Sequence, residues 1–297
     1  MTNETILVTG ATGQVGRRLV PRLLSWREPG DQIRVLVRTR QAAEHFTGLG
    51  AQCVLGDLLE AADRKRALDG ATVVVNVAAT FRGPAVTDDD MYALNRDAAV
   101  ALATESAQAR VRRFVQISTN LVYGPGIGRP VREDDELRAV VTPQQRAYPA
   151  SKREAEERLR ELSTESGLDI VALRLAFVYG DGDPHIENIL PRFATAAAHE
   201  PMAMVHHADV AQGVHRALRA LPSTESGYRA YNICGDGVST VYELHELVGQ
   251  RMDLDAAEGR TVADPWYCVP DTTRAYRELG FRPIYPSARA AWRDGAL

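Results

Sequence analysis

Apolar residues fall in short runs along this chain, and most runs are nearly continuous rather than alternating. "TILVTG" (5–10), "IRVLVR" (33–38), "AQCVLG" (51–56), "TVVVNVA" (72–78), "RFVQIS" (113–118), "DIVALRL" (169–175) and "AYNICG" (230–235) are rich in β-branched residues. Runs of this length and continuity predict strands buried on both faces, as in a parallel sheet covered by helices. The segments between them are long enough for right-handed helical crossovers. The predicted fold class is α/β, a doubly wound (Rossmann), mostly parallel seven-stranded sheet built from those seven runs.

After about residue 176 the pattern changes. Proline and glycine become more frequent, as in "VYGDGDPHIENILPRF", and the remainder holds one clear helical pattern (240–250) and the loop-rich "VADPWYCVPDTT". The strand at 230–235 and the helix near Asp209 continue the first unit. The predicted organisation is one domain over 1–175 plus about 207–235, and a smaller, discontinuous C-terminal lobe over 176–206 plus 236–297. No internal repeat or low-complexity segment interrupts it.

The first predicted strand runs directly into "TGATGQVGRRLVPRLL". Gly10, Gly13 and Gly16 stand at the junction of strand and helix. In a dinucleotide site the first glycine permits the tight turn, the second lets backbone approach a pyrophosphate, and the third lets the helix pack on the sheet. The helix N-terminus then offers unpaired N–H groups to the phosphates. Thr12, Gln14 and Val15 complete the candidate loop. The helix it opens is amphipathic through Val15, Leu19, Leu23 and Leu24. The second strand ends in Arg38, with Arg40 nearby, where an NAD site usually carries an acidic residue for the ribose 2′-OH. A guanidinium suits a 2′-phosphate and can stack on adenine. NADP is therefore preferred over NAD, against the alternative of a solvated strand-end charge.

Composition narrows the classes further. Net charge is −4 over 297 residues, with both signs scattered, so a nucleic-acid partner is not expected. The N-terminus "MTNETILVTG" lacks signal-peptide organisation, and no apolar run approaches a membrane span. Cys53, Cys234 and Cys268 are odd in number and lack metal-ligand spacing. A soluble cytoplasmic protein with free thiols is the reading these features give. His206 and His207 precede Asp209, the expected N-cap of the next helix; no third ligand accompanies them, and no metal site is expected. "TDDDM" (87–91) reads as a solvated loop or helix start, and "REDDELR" (132–138) as a surface charge run.

"TGATGQVG", "GDL" (56–58), "NVAA" (76–79), "LNRDAA" (94–99), "QISTNLVYG" (116–124), "YPASK" (148–152) and "RLAFVYGDGDP" (174–184) occur in that order. Together they resemble the extended short-chain dehydrogenase/reductase superfamily, in its NAD-dependent epimerase/dehydratase branch. "HHADVAQGVHRAL", "YNICGDG" and "LGFRP" fit later landmarks of the branch, so the resemblance covers nearly the whole chain. It implies Asp57 and Leu58 at the adenine, and Asn76, Ala78 and Ala79 along the path to the ribose. Asn95 would support the active site from the fourth helix. Thr119, Tyr148 and Lys152 would be the catalytic set, and Ala176, Phe177 and Val178 would border the nicotinamide. Residues i and i+4 share a helix face, so Tyr148 and Lys152 can point into one cleft. A nearby ammonium, joined by an oxidised nicotinamide, is expected to lower a phenol pKa that is ordinarily about 10.

Two departures bear on the reaction. Dehydratases of the branch carry an acidic pair after the catalytic threonine; here Asn120 and Leu121 follow Thr119, and neither transfers a proton in water elimination. Nucleotide-sugar epimerases usually have a longer, arginine-bearing segment before the "HHADV" position; here "ATAAAHEPMAMV" intervenes, preceded by Arg192 alone. Phe81, Arg82, Asn120 and His185 are the candidate substrate-facing residues. The resemblance leaves three readings: an NAD(P)-dependent oxidoreductase acting at a carbonyl/secondary alcohol carbon, an epimerase on a sugar or nucleotide sugar with tightly bound NAD, and a non-catalytic cofactor-binding sensor. It also implies a homodimer, packed through helices near 148–166 and 95–109.

Overall fold

In the first strand Ile6 and Val8 turn to one face of the sheet and Leu7 to the other, and all three are buried. Val73 and Val75 repeat the arrangement against Val74. This is why the runs are continuous: a period of two with helices on both faces leaves no solvent-facing position. The computed structural model describes residues 3–81, 83, 85–220 and 227–297.

Along the chain the first half runs β1 (Thr5–Thr9), α1 (Gly16–Trp26), β2 (Gln32–Val37), α2 (Arg40–Gly48), β3 (Gln52–Leu55), α3 (Ala61–Leu68) and β4 (Val73–Asn76). Then come α4 (Asp88–Tyr92), a π-helical stretch (Ala93–Ala98), α5 (Ala99–Gln108), β5 (Arg113–Thr119), α6 (Tyr148–Ser166) and β6 (Asp169–Leu175). The rest comprises β7 (Phe177–Tyr179), α7 (His185–Ile189), β8 (Pro201–Met202), β9 (Met204–His206), α8 (His207–Arg219), β10 (Tyr228–Ile233), β11 (Ser239–Thr240), α9 (Val241–Leu247), α10 (Leu254–Ala257) and α11 (Ala288–Arg293).

Seven strands form one parallel sheet in the order β10-β6-β5-β4-β1-β2-β3. Strand order reverses between β1 and β4, so the crevice of a doubly wound sheet opens at their C-terminal ends. Leu19, Val20 and Leu23 of α1, with Val210, Ala211 and Val214 of α8, cover one face. Leu102 and Ala103 of α5, with Leu159 of α6, cover the other. A separate cluster of Tyr179, Ile186, Leu190, Met204, Leu244, Leu247, Ala288 and Ala291 draws on residues on both sides of α8 and β10. There β7 pairs with β9 and β8 with β11. No helix among the described residues is long and apolar enough to cross a membrane.

Two local expectations change. Helix α8 begins at His207, not at an Asp209 cap: the His206 ring accepts the Ala208 N–H at 3.0 Å. Asp209 lies inside the first turn and accepts instead from Ile284 and Tyr285 N–H groups, which tie the C-terminal region to α8. The charge run at 132–138 is not wholly at the surface either. Glu133 is buried, and its carboxylate accepts the Asn232 backbone N–H at 2.8 Å.

Beneath the C-terminal ends of β5 and β6 lies a fully buried ion pair. Arg174 Nη2 stands 2.8 Å from Glu156 Oε2, and both side chains have no exposed area. Ser118 donates to Glu156 Oε1, and the Tyr228 hydroxyl donates to Oε2 at 2.7 Å. Arg174 also donates to the Tyr123 hydroxyl at 2.8 Å and to the Glu133 carbonyl at 3.1 Å. Burial pushes the Glu156 carboxyl up, but Arg174 and the three side-chain hydrogen bonds outweigh it and hold the group below its usual range. Removing one partner of such a pair strands a buried charge and costs about 3–5 kcal/mol. Glu156→Leu is therefore expected to lower unfolding stability by that amount in urea titration; a loss under about 1 kcal/mol would show that Arg174 finds another partner.

Candidate active site

The glycine loop divides its three glycines between two duties. Gly10 has φ +67°, and a Cβ there would lie 2.5 Å from the Ala78 nitrogen, where the chain after β4 crosses. At Gly16 a Cβ would fall on the Gly10 carbonyl oxygen. Both are required by the protein's own packing. Gly13 is not: a Cβ there meets only the Gly10 oxygen, at an ordinary 3.4 Å. The open space at Gly13 is what a pyrophosphate approaching the backbone needs. Helix α1 has no side-chain cap and no acidic residue in its first turn, so no capping side chain competes for its N-terminal N–H groups. The loop fits a dinucleotide.

Around that loop the other candidate cofactor residues separate. Arg38 is exposed just beyond β2, and Thr39 beside it caps α2 by accepting the Ala42 N–H. Asp57 is half-buried, with one carboxylate oxygen accepting the Leu59 N–H at 3.0 Å; Leu58 is buried in the core. Ala78 is buried against Gly10, and Ala79 is exposed. Asn76 does not reach the crevice with its side chain. It is fully buried, accepts from the Thr9 hydroxyl at 2.5 Å and donates to Gln116 Oε1 at 2.9 Å, lacing β1, β4 and β5 together. Asn95, in the π-helical stretch, acts through backbone: it donates to the Thr80 carbonyl and accepts the Thr80 N–H, both at 2.8 Å, and donates to Ser151 Oγ at 3.1 Å. π-Helical insertions recur at functional sites, and this one turns Asn95 toward the loop after β4.

Tyr148 opens α6 and Lys152 follows one turn later. The Thr119 side chain at the end of β5 lies close enough to the Tyr148 hydroxyl to favour its ionised form. Phe81 sits edge-on to the Tyr148 ring with centroids 4.5 Å apart. Lys152 is 2% exposed, and its Nζ donates to the Ile117 carbonyl at 3.0 Å. Burial pushes the Lys152 ammonium down to about 8, against the opposing pull of Glu156 one turn further on. Burial pushes the Tyr148 phenol up to about 12, with the Thr119 hydroxyl acting in the other direction. Within the chain itself desolvation sets the direction of the Tyr148 shift, and the lysine's bond is made to Ile117. At neutral pH this site holds a protonated phenol.

Of the candidate substrate residues, Phe81 stands edge-on to Tyr148 and Arg82 lies outside the described residues. Asn120 is buried and gives its amide to the Cys268 carbonyl at 2.6 Å. His185 stacks on Phe177 with centroids 4.1 Å apart and bonds the Val178 carbonyl, closing it against β7. Ala176 is buried, its N–H donating to the Ile233 carbonyl. Glu156 and Arg174 were missed by sequence reasoning. The signal was a charge inside the otherwise apolar "DIVALRL" run. His207 bonds Asp183 at 2.9 Å, and among the described residues no group of three His, Cys, Asp or Glu side chains could hold a metal ion.

A doubly wound sheet, a glycine loop open at its middle glycine, and a Thr–Tyr–Lys set at the crevice define a Rossmann enzyme of the short-chain dehydrogenase/reductase class. The sequence matches the NAD dependent epimerase/dehydratase family over residues 6–234, and the chain belongs to that family. A 4-hydroxy-2-methyl-3-oxo-4-farnesyl-3,4-dihydroquinoline-1-oxide ketoreductase from Stigmatella aurantiaca is 31% identical over 296 residues, covering 95% of this chain and 82% of the relative. A dTDP-glucose 4,6-dehydratase from Streptomyces griseus is 28% identical, covering 97% and 93%. Among solved structures, a short-chain dehydrogenase/reductase superfamily protein from Agrobacterium tumefaciens with bound NAD shares the fold, with TM-score 0.75, 23% identity and 98% of each chain covered.

The division of labour among the glycines is testable. Gly13→Ala should leave stability within about 0.5 kcal/mol of the parent while weakening dinucleotide binding about tenfold or more, read by calorimetric titration. Gly16→Ala should instead destabilise the fold itself by about 1–3 kcal/mol or more. Equal cofactor affinity in Gly13→Ala would remove the pyrophosphate from that space.

Proposed function

We propose that this enzyme is an NAD(P)-dependent oxidoreductase that reduces a ketone to a secondary alcohol, or runs that step in reverse. The observation that carries the reading is the meeting of Thr119, Tyr148 and Lys152 beside the glycine-loop crevice, with the phenol protonated. When bound, the nicotinamide supplies hydride to the carbonyl carbon. Tyr148 gives its proton to the carbonyl oxygen as negative charge develops there, and Thr119 hydrogen-bonds the same oxygen. Lys152 would hold positive charge one helical turn beyond the tyrosine, anchored at the Ile117 carbonyl. Its ammonium is also the group placed to hydrogen-bond the nicotinamide ribose.

Three observations favour reduction over the alternatives. The ketoreductase relative matches almost the whole chain. Asn120 and Leu121 carry no acid for eliminating water, and the Asn120 amide is already bonded to Cys268. The segment between α7 and β9 stays short, and its own Ala197 is buried, which leaves little chain to wrap a nucleotide diphosphate. Exposed Arg38 supports NADP as the cofactor. The proposal includes a cytoplasmic homodimer packed through the helices at 95–109 and 148–166, and a substrate lobe built from 176–206 and 236–297. Its three thiols are unpaired, as a reducing compartment requires.

Tyr148→Phe should lower kcat by about 10²–10⁴ with ketone substrates while leaving cofactor affinity within about twofold. Activity that survives this change would overturn the mechanism. NADPH consumption with a carbonyl panel supports the reductase; protein that retains NAD and interconverts sugars without net cofactor turnover would point to epimerisation. In titrations, Arg38→Ala should weaken NADP more than NAD, and a parent enzyme that prefers NAD would contradict the role given to Arg38.

A further inference from the structure

The segment 264–271 crosses both ends of the loop that carries the reacting groups. At one end Asn120, the residue after Thr119, donates to the Cys268 carbonyl at 2.6 Å, and both residues are buried. At the other end Gln145, three residues before Tyr148, donates to the Tyr267 hydroxyl at 2.6 Å. Between them the Asp264 carboxylate accepts the Gly126 N–H at 2.6 Å, and Val131 and Val269 join backbone to backbone at 2.9 Å. Cys268 has φ +54°, a left-handed conformation that a cysteine adopts only when its surroundings hold it there. The Asn120 bond is made at that residue.

We propose that Asn120 is a positioning residue for substrate selection: its amide holds the segment 264–271 as a roof over Thr119 and Tyr148, and the roof sets which carbonyl compounds reach them. The proposal rests on the oxidoreductase reading for its substrate side, while the roof itself rests on geometry alone. A substrate oxygen must arrive between Thr119 and Tyr148, and the roof is fastened to the chain beside each of them. The residue type at 120 follows from this. An aspartate has the same shape but offers only acceptors to the Cys268 carbonyl, so an acid at this position would push the roof away. The amide that takes the place of a dehydratase acid is thereby committed to the roof.

Hydrogen exchange read by mass spectrometry tests the roof without any substrate. In Asn120→Ala, amides of 262–271 should exchange about 3–10-fold faster than in the parent, while peptides from β5 and β6 keep their protection and report that the sheet is folded. Asn120→Asp should loosen the segment as much as Asn120→Ala, because it keeps the volume and loses the donor. Unchanged protection in both variants, or a closed roof in the aspartate variant alone, would overturn the proposal. With NADPH, the ratio of kcat/KM for 2-acetylnaphthalene to that for cyclohexanone should shift about tenfold or more in either variant, mainly through KM. A loosened roof with an unchanged ratio would defeat the selection role. Absence of ketone reduction by the parent would count against the oxidoreductase reading and leave the exchange result standing.

Discussion

The pair formed by Glu156 and Arg174 is the constraint on which the active site depends. A carboxylate and a guanidinium with no exposed area join α6 to β6, and Ser118 and Tyr228 bring β5 and β10 to the same point. Buried pairs of this kind add little net stability, because desolvation consumes most of the attraction. What the pair contributes here is position. Glu156 lies one turn beyond Lys152 and two beyond Tyr148, so the rotation of α6 about its axis is set by an ion pair in which Arg174 Nε and Nη2 both donate to Glu156 Oε2. The same carboxylate is the opposing charge that keeps the Lys152 ammonium from falling further than about 8.

The network extends beyond the catalytic helix. Arg174 reaches Tyr123, whose hydroxyl donates to Asn232 at 2.7 Å, and Asn232 donates to the Val131 and Asp271 carbonyls. Val131 and Asp271 are in turn joined backbone to backbone at one edge of the roof segment. One continuous set of hydrogen bonds thus runs from beneath the lysine to the chain above the tyrosine. Helix α6 and the roof are positioned from a common base, although nearly a hundred residues separate them in sequence. The glycine loop enters the same crevice from the other side of the strand-order reversal, anchored where Gly10 meets Ala78.

The fold was legible because its signals are local. Seven apolar runs became the seven strands of the sheet, and the helix expected at 148–166 spans those residues. The glycine spacing marked the loop, since Gly16 answers a contact with Gly10 in the same short stretch and Gly10 answers one with the chain after the neighbouring strand β4. What escaped were contacts made across the fold. Asn120 looked free to face substrate because its partner Cys268 is 148 residues away. Glu133 read as part of a surface run because nothing nearby shows that Asn232 will claim it. Asn76 stood in a cofactor motif, yet Thr9 and Gln116 occupy its amide from adjacent strands. Asp209 looked like a cap, but His206, three residues earlier, holds the cap position with its ring. Tyr148 and Lys152 were correctly placed on one helix face, while the direction of the phenol's shift depended on burial, which no spacing rule contains.

The fold keeps a charged lysine in a dry site, at a cost in stability. The sign of that cost is fixed. The folded-state pKa of Lys152 is depressed from 10.5 to about 8. Between those values the unfolded chain binds more protons, so unfolding free energy rises with pH. At about 1.4 kcal/mol per unit, the deficit is roughly 3 kcal/mol, fully present below about pH 8 and relieved as pH climbs toward 10.5. The direct measurement is unfolding stability of the parent and of Lys152→Met across that range. The variant should be the more stable at pH 7, with the gap closing as pH rises. A variant that is less stable at pH 7, or a gap that does not move with pH, would contradict the account.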